Sequence, residues 1–299
     1  MTSVAVQSPV AGPASIAPGC GRVSVVRNGP RSVVSRALAT SPFRLLTPGN
    51  HGHAAWIYSS TYGGGLVGGD AVVLGVDVGA GAAALLATQA STKVYRSPRG
   101  ATTHVHARVA EDGLLVMAPD PVVCFARSRY TQSQDVDLAD GAGLVLIDWM
   151  TSGRRASGEH WAFDGYETRL TVRIDGRLAL YDAMALRQSD GDLRARLGRF
   201  EVFALVVVAG ARFLPEAATI VSEAAAMPLE QGATLLVSAA MLRAPGETGG
   251  TARAGTAPPG AGCVLRVAAT SVEGASRTIR GFLRFLPAVL GDDPWARKW

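Results

Sequence analysis

Three groupings in this sequence combine residue types and spacings that could do chemistry. GGGLVGGD (63–70) satisfies the GxGxxG fingerprint of dinucleotide-binding turns through Gly63, Gly65 and Gly68. That fingerprint binds pyrophosphate only where a helix follows and offers its N-terminus. Here AVVLGVDV follows, with Val72, Leu74, Val76 and Val78 on one face. This is a strand pattern, so the stretch is read as a glycine-rich turn ending at Asp70. The second grouping is two HxH pairs, His51/His53 and His104/His106. Residues i and i+2 of a strand share a face, so either pair can offer two imidazoles to one metal. No third ligand has a recognisable spacing. Val105, Ala107 and Val109 form an apolar back to His104, His106 and Arg108, as on a solvated strand face. Cys124, the third candidate, lies in the apolar run PVVCFA and reads as a buried, inert thiol.

The elements that must position these residues are mostly short strands. From Gly21 to about Arg187 alternating runs are broken by turn residues, with Asp-Gly pairs at 112–113, 140–141, 164–165, 175–176 and 190–191. Asp-Gly tolerates the positive φ of tight hairpins. YETRLTVRI-DG-RLALYDAMAL is predicted to be such a hairpin, with Tyr166, Thr168, Leu170, Val172 and Ile174 on one face. Helices come late. Residues 212–227 contain PEAATIVSEAAA, whose proline suits a helix N-terminus. Residues 272–290 carry an apolar stripe of Ile279, Phe282, Leu283 and Leu286, and Pro287 is expected to kink or end that helix. Residues 232–243 and 262–270 read as strands. No repeat of fixed length is visible. Residues 1–20, rich in Ala, Ser, Pro and Gly, are expected to be a disordered leader. Residues 21–299 are expected to form one domain, with a mobile Gly/Pro/Thr loop at about 244–260.

Composition narrows the function classes. Of 299 residues, 48% are hydrophobic, enough for a large core, and 35 are glycine. The net charge of +5 is spread along the chain without Lys/Arg blocks, so it gives no case for nucleic-acid binding. Three dispersed cysteines form no CxxC and fit a reducing compartment. The longest strongly apolar run, Val202 to Ala211, is about half the length that spans a bilayer. The first twenty residues lack a basic start followed by an apolar run. A soluble, cytoplasmic protein without membrane contact is expected. No GxSxG elbow, Walker A loop or kinase set is present. Two segments remain, TQASTKVYRS (88–97) and DWMTSGRRASGEHWAF (148–163), whose polar residues fit either loop ends or docking surfaces.

These segments resemble the UreD/UreH urease accessory proteins. The matching stretches are YSSTYGGGLVGGDAVVLGVDVGAGAAALLATQASTKVYRS (58–97), APDPVVCFARSRYTQSQDVDLADGAGLVLIDWMTSGRRASGEHWAF (118–163) and the YETRLTVRI strand after them, about half the chain. The resemblance implies a mainly β fold, a β-helix-like stack of short strands with a few late α-helices. It implies a protein that is not an enzyme. Such a protein binds apo-urease together with UreF and the GTPase UreG, and assists nickel delivery into the urease active site. No tightly bound cofactor is expected, only nickel in transit, and a homodimer within the complex is compatible with it. On this reading Asp70, Thr88, Ser91, Asp148 and Glu159 line or border the metal path. Gly64, Gly65, Gly69, Lys93, Tyr95, Arg96 and Arg154 fix strands or meet partners. The tail PWARKW, with Trp295 and Trp299, is a candidate partner anchor. The competing reading is a metal-dependent enzyme on a β-solenoid using the HxH pairs.

Overall fold

The computed structural model describes residues 17–49, 52–243 and 260–296. His51, Trp299, nearly all of the 244–260 loop and most of the expected leader lie outside the described residues. Cys20, assigned to that leader by composition, opens the first strand, and the Thr40 hydroxyl ties Ala17 and Cys20 to the body.

An antiparallel pair, β1 (Cys20–Asn28) and β2 (Arg31–Ala39), is followed by a second, β3 (Phe43–Leu46) and β4 (Ala55–Thr61). The chain then alternates between two sheets. It passes through β5 (Ala71–Val78), β6 (Ala83–Thr88), β7 (Thr92–Val94), β8 (Ala101–Val109), β9 (Leu114–Met117), β10 (Val122–Cys124), β11 (Arg129–Leu138) and β12 (Gly143–Thr151). The hairpin β13 (Gly165–Ile174) and β14 (Arg177–Arg187) follows, then α1 (Leu193–Leu197), β15 (Val202–Ala209) and α2 (Leu214–Ala225). The chain closes with β16 (Leu235–Arg243), β17 (Gly260–Ala269), α3 (Val272–Phe282) and α4 (Leu286–Leu290).

One sheet runs β14-β13-β11-β8-β5-β1-β2 and the other β16-β17-β15-β12-β9-β6-β4-β3. Their centres, β5-β8-β11-β13 and β4-β6-β9-β12, are parallel throughout. Each turn of the chain lays one strand on each sheet, which makes a two-faced β-solenoid. Ala71, Thr102 and Thr131 are register partners on successive coils, so one coil takes about 30 residues. No repeat of fixed length is visible in the sequence because the repeat is one of backbone register, carried by side-chain alternation instead of a motif. A short third side forms where β7 pairs with β10, and β10 with β12. Antiparallel strands cap both ends.

The two sheets differ in sequence because they differ in cover. The β6–β9–β12–β15 sheet packs its inner face on the other sheet and its outer face on α2, α3 and α4, through Leu85, Val145, Val206, Ile220, Ile279 and Leu286. Strands buried on both sides read as near-continuous apolar runs, as in VFALVVVA. The other sheet is solvated outside and alternates strictly, with Val72, Leu74, Val76 and Val78 buried as expected. The 165–187 hairpin forms as predicted, turning on Asp175 (φ 50°) and Gly176 (φ 73°). The C-terminal stripe is buried, but the helix breaks at 283–285, before Pro287. That proline then sits in the first turn of α4, where its missing N–H costs nothing.

Candidate functional site

Parallel register stacks residues of successive coils into rows across each sheet. On the solvated sheet one inward row reads Val72, Thr103, Gln132, Thr168. On the facing sheet Ser59 pairs with Thr88, and Asp148 follows Leu146 by two residues on the same inward side. Leu144, Leu146 and Met150 pack in the core between the sheets, whereas Val145 and Ile147 face the helices. Asp148 therefore stands where alternation calls for an apolar side chain.

The two polar rows meet. Gln132 Nε2 donates to Asp148 Oδ1 at 2.6 Å, and the Thr168 hydroxyl donates to Asp148 Oδ2 at 2.7 Å. Gln132 Nε2 also approaches the Tyr166 hydroxyl at 3.1 Å, and the Tyr130 hydroxyl donates to Gln132 Oε1 at 3.3 Å. Burial pushes the Asp148 carboxyl above the usual carboxylate range; the hydrogen bonds from Thr168 and Gln132 oppose this, and the charge of Asp182 adds to it. Burial likewise raises Tyr130 and Tyr166, and pushes the Cys124 thiol up to about 12, so this thiol is inert as expected.

Beside this cluster lies a cavity of about 260 Å³ between the sheets. Its wall brings together Gly64, Gly65, Thr88, Ser91 and Asp148 of the sequence-derived set. A groove of about 450 Å³ lies outside, under α3, and shares Thr88, Ser91, Asp120 and Trp149 with it. Asp120 and Thr88 are joined there: Asp120 N–H donates to Thr88 Oγ1 at 2.7 Å. Gly65 is needed at the mouth because a Cβ would stand 2.6 Å from the Lys93 carbonyl oxygen.

The remaining candidates sit apart from the cavity wall. Asp70 closes the glycine turn, accepting the Val67 N–H at 2.8 Å, and Gly69 adopts φ 98° beside the Arg99 guanidinium. Glu159 pairs with Arg154 and accepts the Ala126 N–H at 3.1 Å; Arg154 stacks 4.1 Å over the Phe125 ring. Its Arg154 partner, first among several contacts, holds the Glu159 carboxyl below the usual range. Tyr95 packs edge-on against Phe125 at 5.1 Å, and Lys93 and Arg96 are exposed. Trp295 is half-buried with the Arg280 guanidinium 5.1 Å over its ring. His104 and His106 lie on the outer face of the solvated sheet, near Asp135 (3.8 Å) and Asp137 (3.9 Å), with His104 Nδ1 2.6 Å from the Ser133 hydroxyl. Among the described residues no group of three or more His, Cys, Asp or Glu is placed to hold a metal ion.

Sequence reasoning missed Thr103, Tyr130, Gln132, Thr168 and Asp120. A signal was present in YTQSQDVDL: Tyr130, Gln132 and Gln134 share the face of Val136 and Leu138, so polar side chains point inward.

Fold and site together define a parallel β-solenoid with an interior cavity whose largely apolar wall carries a cluster of polar side chains. A family model described as UreD urease accessory protein matches residues 17–299. Urease accessory protein UreD of Sorangium cellulosum (strain So ce56) is 49% identical over 281 residues, covering 94% of this chain and 84% of its own. Its namesake in Anaeromyxobacter sp. (strain Fw109-5) is 43% identical over 282 residues, 93% and 89% of the two chains. Urease accessory protein D of Arabidopsis thaliana is 33% identical over 294 residues, 92% and 99%. The chain belongs to the UreD urease accessory protein family.

Proposed function

We propose that this chain is a non-catalytic urease accessory scaffold that binds apo-urease together with UreF and UreG and assists nickel delivery into the urease active site. The observation that carries the reading is a largely apolar cavity inside a UreD-family solenoid, into whose wall Thr88, Ser91 and Asp148 set oxygen donors. A conduit requires weak oxygen ligands in series, because a tight site would retain the ion. Thr88, Ser91 and Asp148 offer two hydroxyls and one carboxyl along one cavity, and Thr88 and Ser91 also line the groove under α3, which supplies a second side. Asp70 and Glu159 border the path from their loops. Lys93, Tyr95, Arg96 and Arg154 hold the third side or meet partners, and Trp295 belongs to a tail that anchors a partner. No helix among the described residues is long and apolar enough to cross a membrane, and action in the cytoplasm belongs to this reading.

Co-expression with the cognate urease subunits, UreF and UreG tests it, with nickel content and urease activity as readouts. Activity is expected only when this chain is present. The Asp70→Ala/Asp148→Ala variant should assemble the complex but load little nickel. Activation indifferent to this chain would overturn the scaffold reading, and full activation by the double variant would overturn the path.

A further inference from the structure

The corner where the third side meets the solvated sheet is built the same way on successive coils. Leu66 bridges to Val94, the Phe125 N–H donates to the Val94 carbonyl at 2.9 Å, and Ser97 Oγ accepts the Arg129 N–H at 3.1 Å. Loops 62–69, 95–100 and 125–128 therefore stack at strand spacing, roughly 4.8 Å per coil. Their outward side chains are cationic or apolar. Lys93, Arg96, Arg99 and Arg127 are exposed, and Tyr62 and Val67 beside them are 56% and 51% exposed. Among the described residues Lys93, Arg96 and Arg127 have no ion pair, whereas Arg22, Arg169 and Arg173 on the neighbouring sheet face each lie opposite an aspartate.

Arg127 adds a second, independent observation. Its φ is 60°, a left-handed conformation ordinarily left to glycine, with its N–H held by the Ala162 carbonyl at 3.0 Å. Such conformations cost free energy and cluster where function fixes a side chain. Here the conformation carries an exposed, unpaired guanidinium on the corner.

We propose that this corner is a docking surface for an acidic face of a partner protein, seated beside the cavity mouth at Gly64, Gly65 and Ser91. Exposed Arg and Tyr next to small apolar surface is the composition of interface hot spots, and a cluster of cations without intramolecular partners attracts carboxylates presented by a partner. A protein fits better than a nucleic acid. The rings that could stack bases already have neighbours: Phe125 carries Arg154, Tyr62 carries Arg44 on one face, and Tyr95 packs edge-on with Phe125. Four cations on a short corner also make few phosphate contacts.

The proposal rests on the scaffold reading, because the probes are purified apo-urease and UreF from the same source, each titrated alone at about 50 and 300 mM salt. The variant is Lys93→Glu/Arg96→Glu. Arg36→Glu/Arg277→Glu, which changes two exposed cations elsewhere by the same charge, is the control, and circular dichroism establishes that all three are folded. The expected result is wild-type binding to one probe that weakens with salt, a loss of about a hundredfold in the variant at low salt, and near-wild-type binding by the control. Unchanged binding by the variant refutes the surface while leaving the scaffold reading intact. Binding to neither probe by the wild type removes both. Equal losses in variant and control overturn the assignment as mere net charge. Tight binding of a labelled single-stranded 30-mer, lost in the variant, overturns it in favour of a nucleic acid.

Discussion

The most informative single change is Asp148→Asn. The carboxyl is 7% exposed and accepts from Gln132 and Thr168. An amide oxygen can keep the Gln132 bond, and the Thr168 hydroxyl can turn to accept from the new NH₂, so the geometry survives. What changes is the proton. Because burial raises the Asp148 pKa, the folded protein retains a proton that the unfolded chain releases above about pH 3.9. The stability this proton confers is complete below that value and is lost as pH rises to the folded pKa. Across the window the wild type should lose about 1.4 kcal/mol per pH unit relative to Asp148→Asn. Urea unfolding followed by tryptophan fluorescence, at intervals from pH 4 to 8, measures this directly. The two proteins should be nearly equal at the acid end, the Asn variant more stable at neutral pH, and the difference constant above the folded pKa. Nickel loading of co-expressed urease should fall in the same variant, because an amide is a far poorer cation ligand. A stability difference that does not vary with pH would refute the buried, proton-retaining carboxyl. A less stable Asn variant at neutral pH would show that the charge is well paired in the fold.

Three further outcomes follow from the geometry. Gly65→Ala puts a methyl 2.6 Å from the Lys93 carbonyl oxygen and 2.7 Å from the Tyr95 ring, which should cost about 1–3 kcal/mol by thermal or urea unfolding. Glu159→Gln loses the ion pair with the exposed Arg154 and should lower stability slightly near neutral pH, as for a solvent-screened pair. Since the Glu159 pKa is depressed, that stability is present above about pH 4.3 and is lost as pH falls through the folded value, so the gap between variant and wild type should close in acid melts. His104→Ala/His106→Ala removes two partly exposed pairs, each of about 0–1 kcal/mol; nickel loading of urease should be unchanged, and its loss would revive the HxH reading.

Much of the fold was legible because burial on one side enforces period-two alternation. Val72 to Val78, the inward face of 166–174, and Asp175-Gly176 each carry their structure locally. The solenoid period was not legible. A coil of about 30 residues shares no sequence motif with the next; what repeats is the register of inward positions, which any apolar residue satisfies. The break at 283–285 also escaped, since Pro287 marks the start of α4 and not the end of α3. Of the site, Thr88, Ser91 and Asp148 were found through family resemblance. Gln132 and Thr168 were not, because a partner 16 or 20 residues away is fixed by which strands face each other across the core.

The polar rows also bear on why the solenoid keeps a cavity there. In parallel register an inward polar side chain must find partners on the next coil or the facing sheet, or pay for lost hydration. Thr103, Gln132 and Thr168 come from three consecutive strands, and Ser59, Thr88 and Asp148 from the opposite sheet. Apolar residues of similar volume at these positions would need no such matching and are commonly neutral or stabilising in a buried setting. The row immediately below, Ile57, Leu86, Met117 and Leu146, is apolar throughout, so the fold tolerates that solution one step away. The polar level is therefore not a requirement of the solenoid. It coincides with the C-terminal ends of the parallel strands β4, β6 and β12, where the glycine turn and Ser91 leave the core open. Packing alone gives no reason to gather one carboxyl, several hydroxyls and an amide at the open end of an otherwise apolar core, whereas the proposed transient passage of a metal cation would account for it.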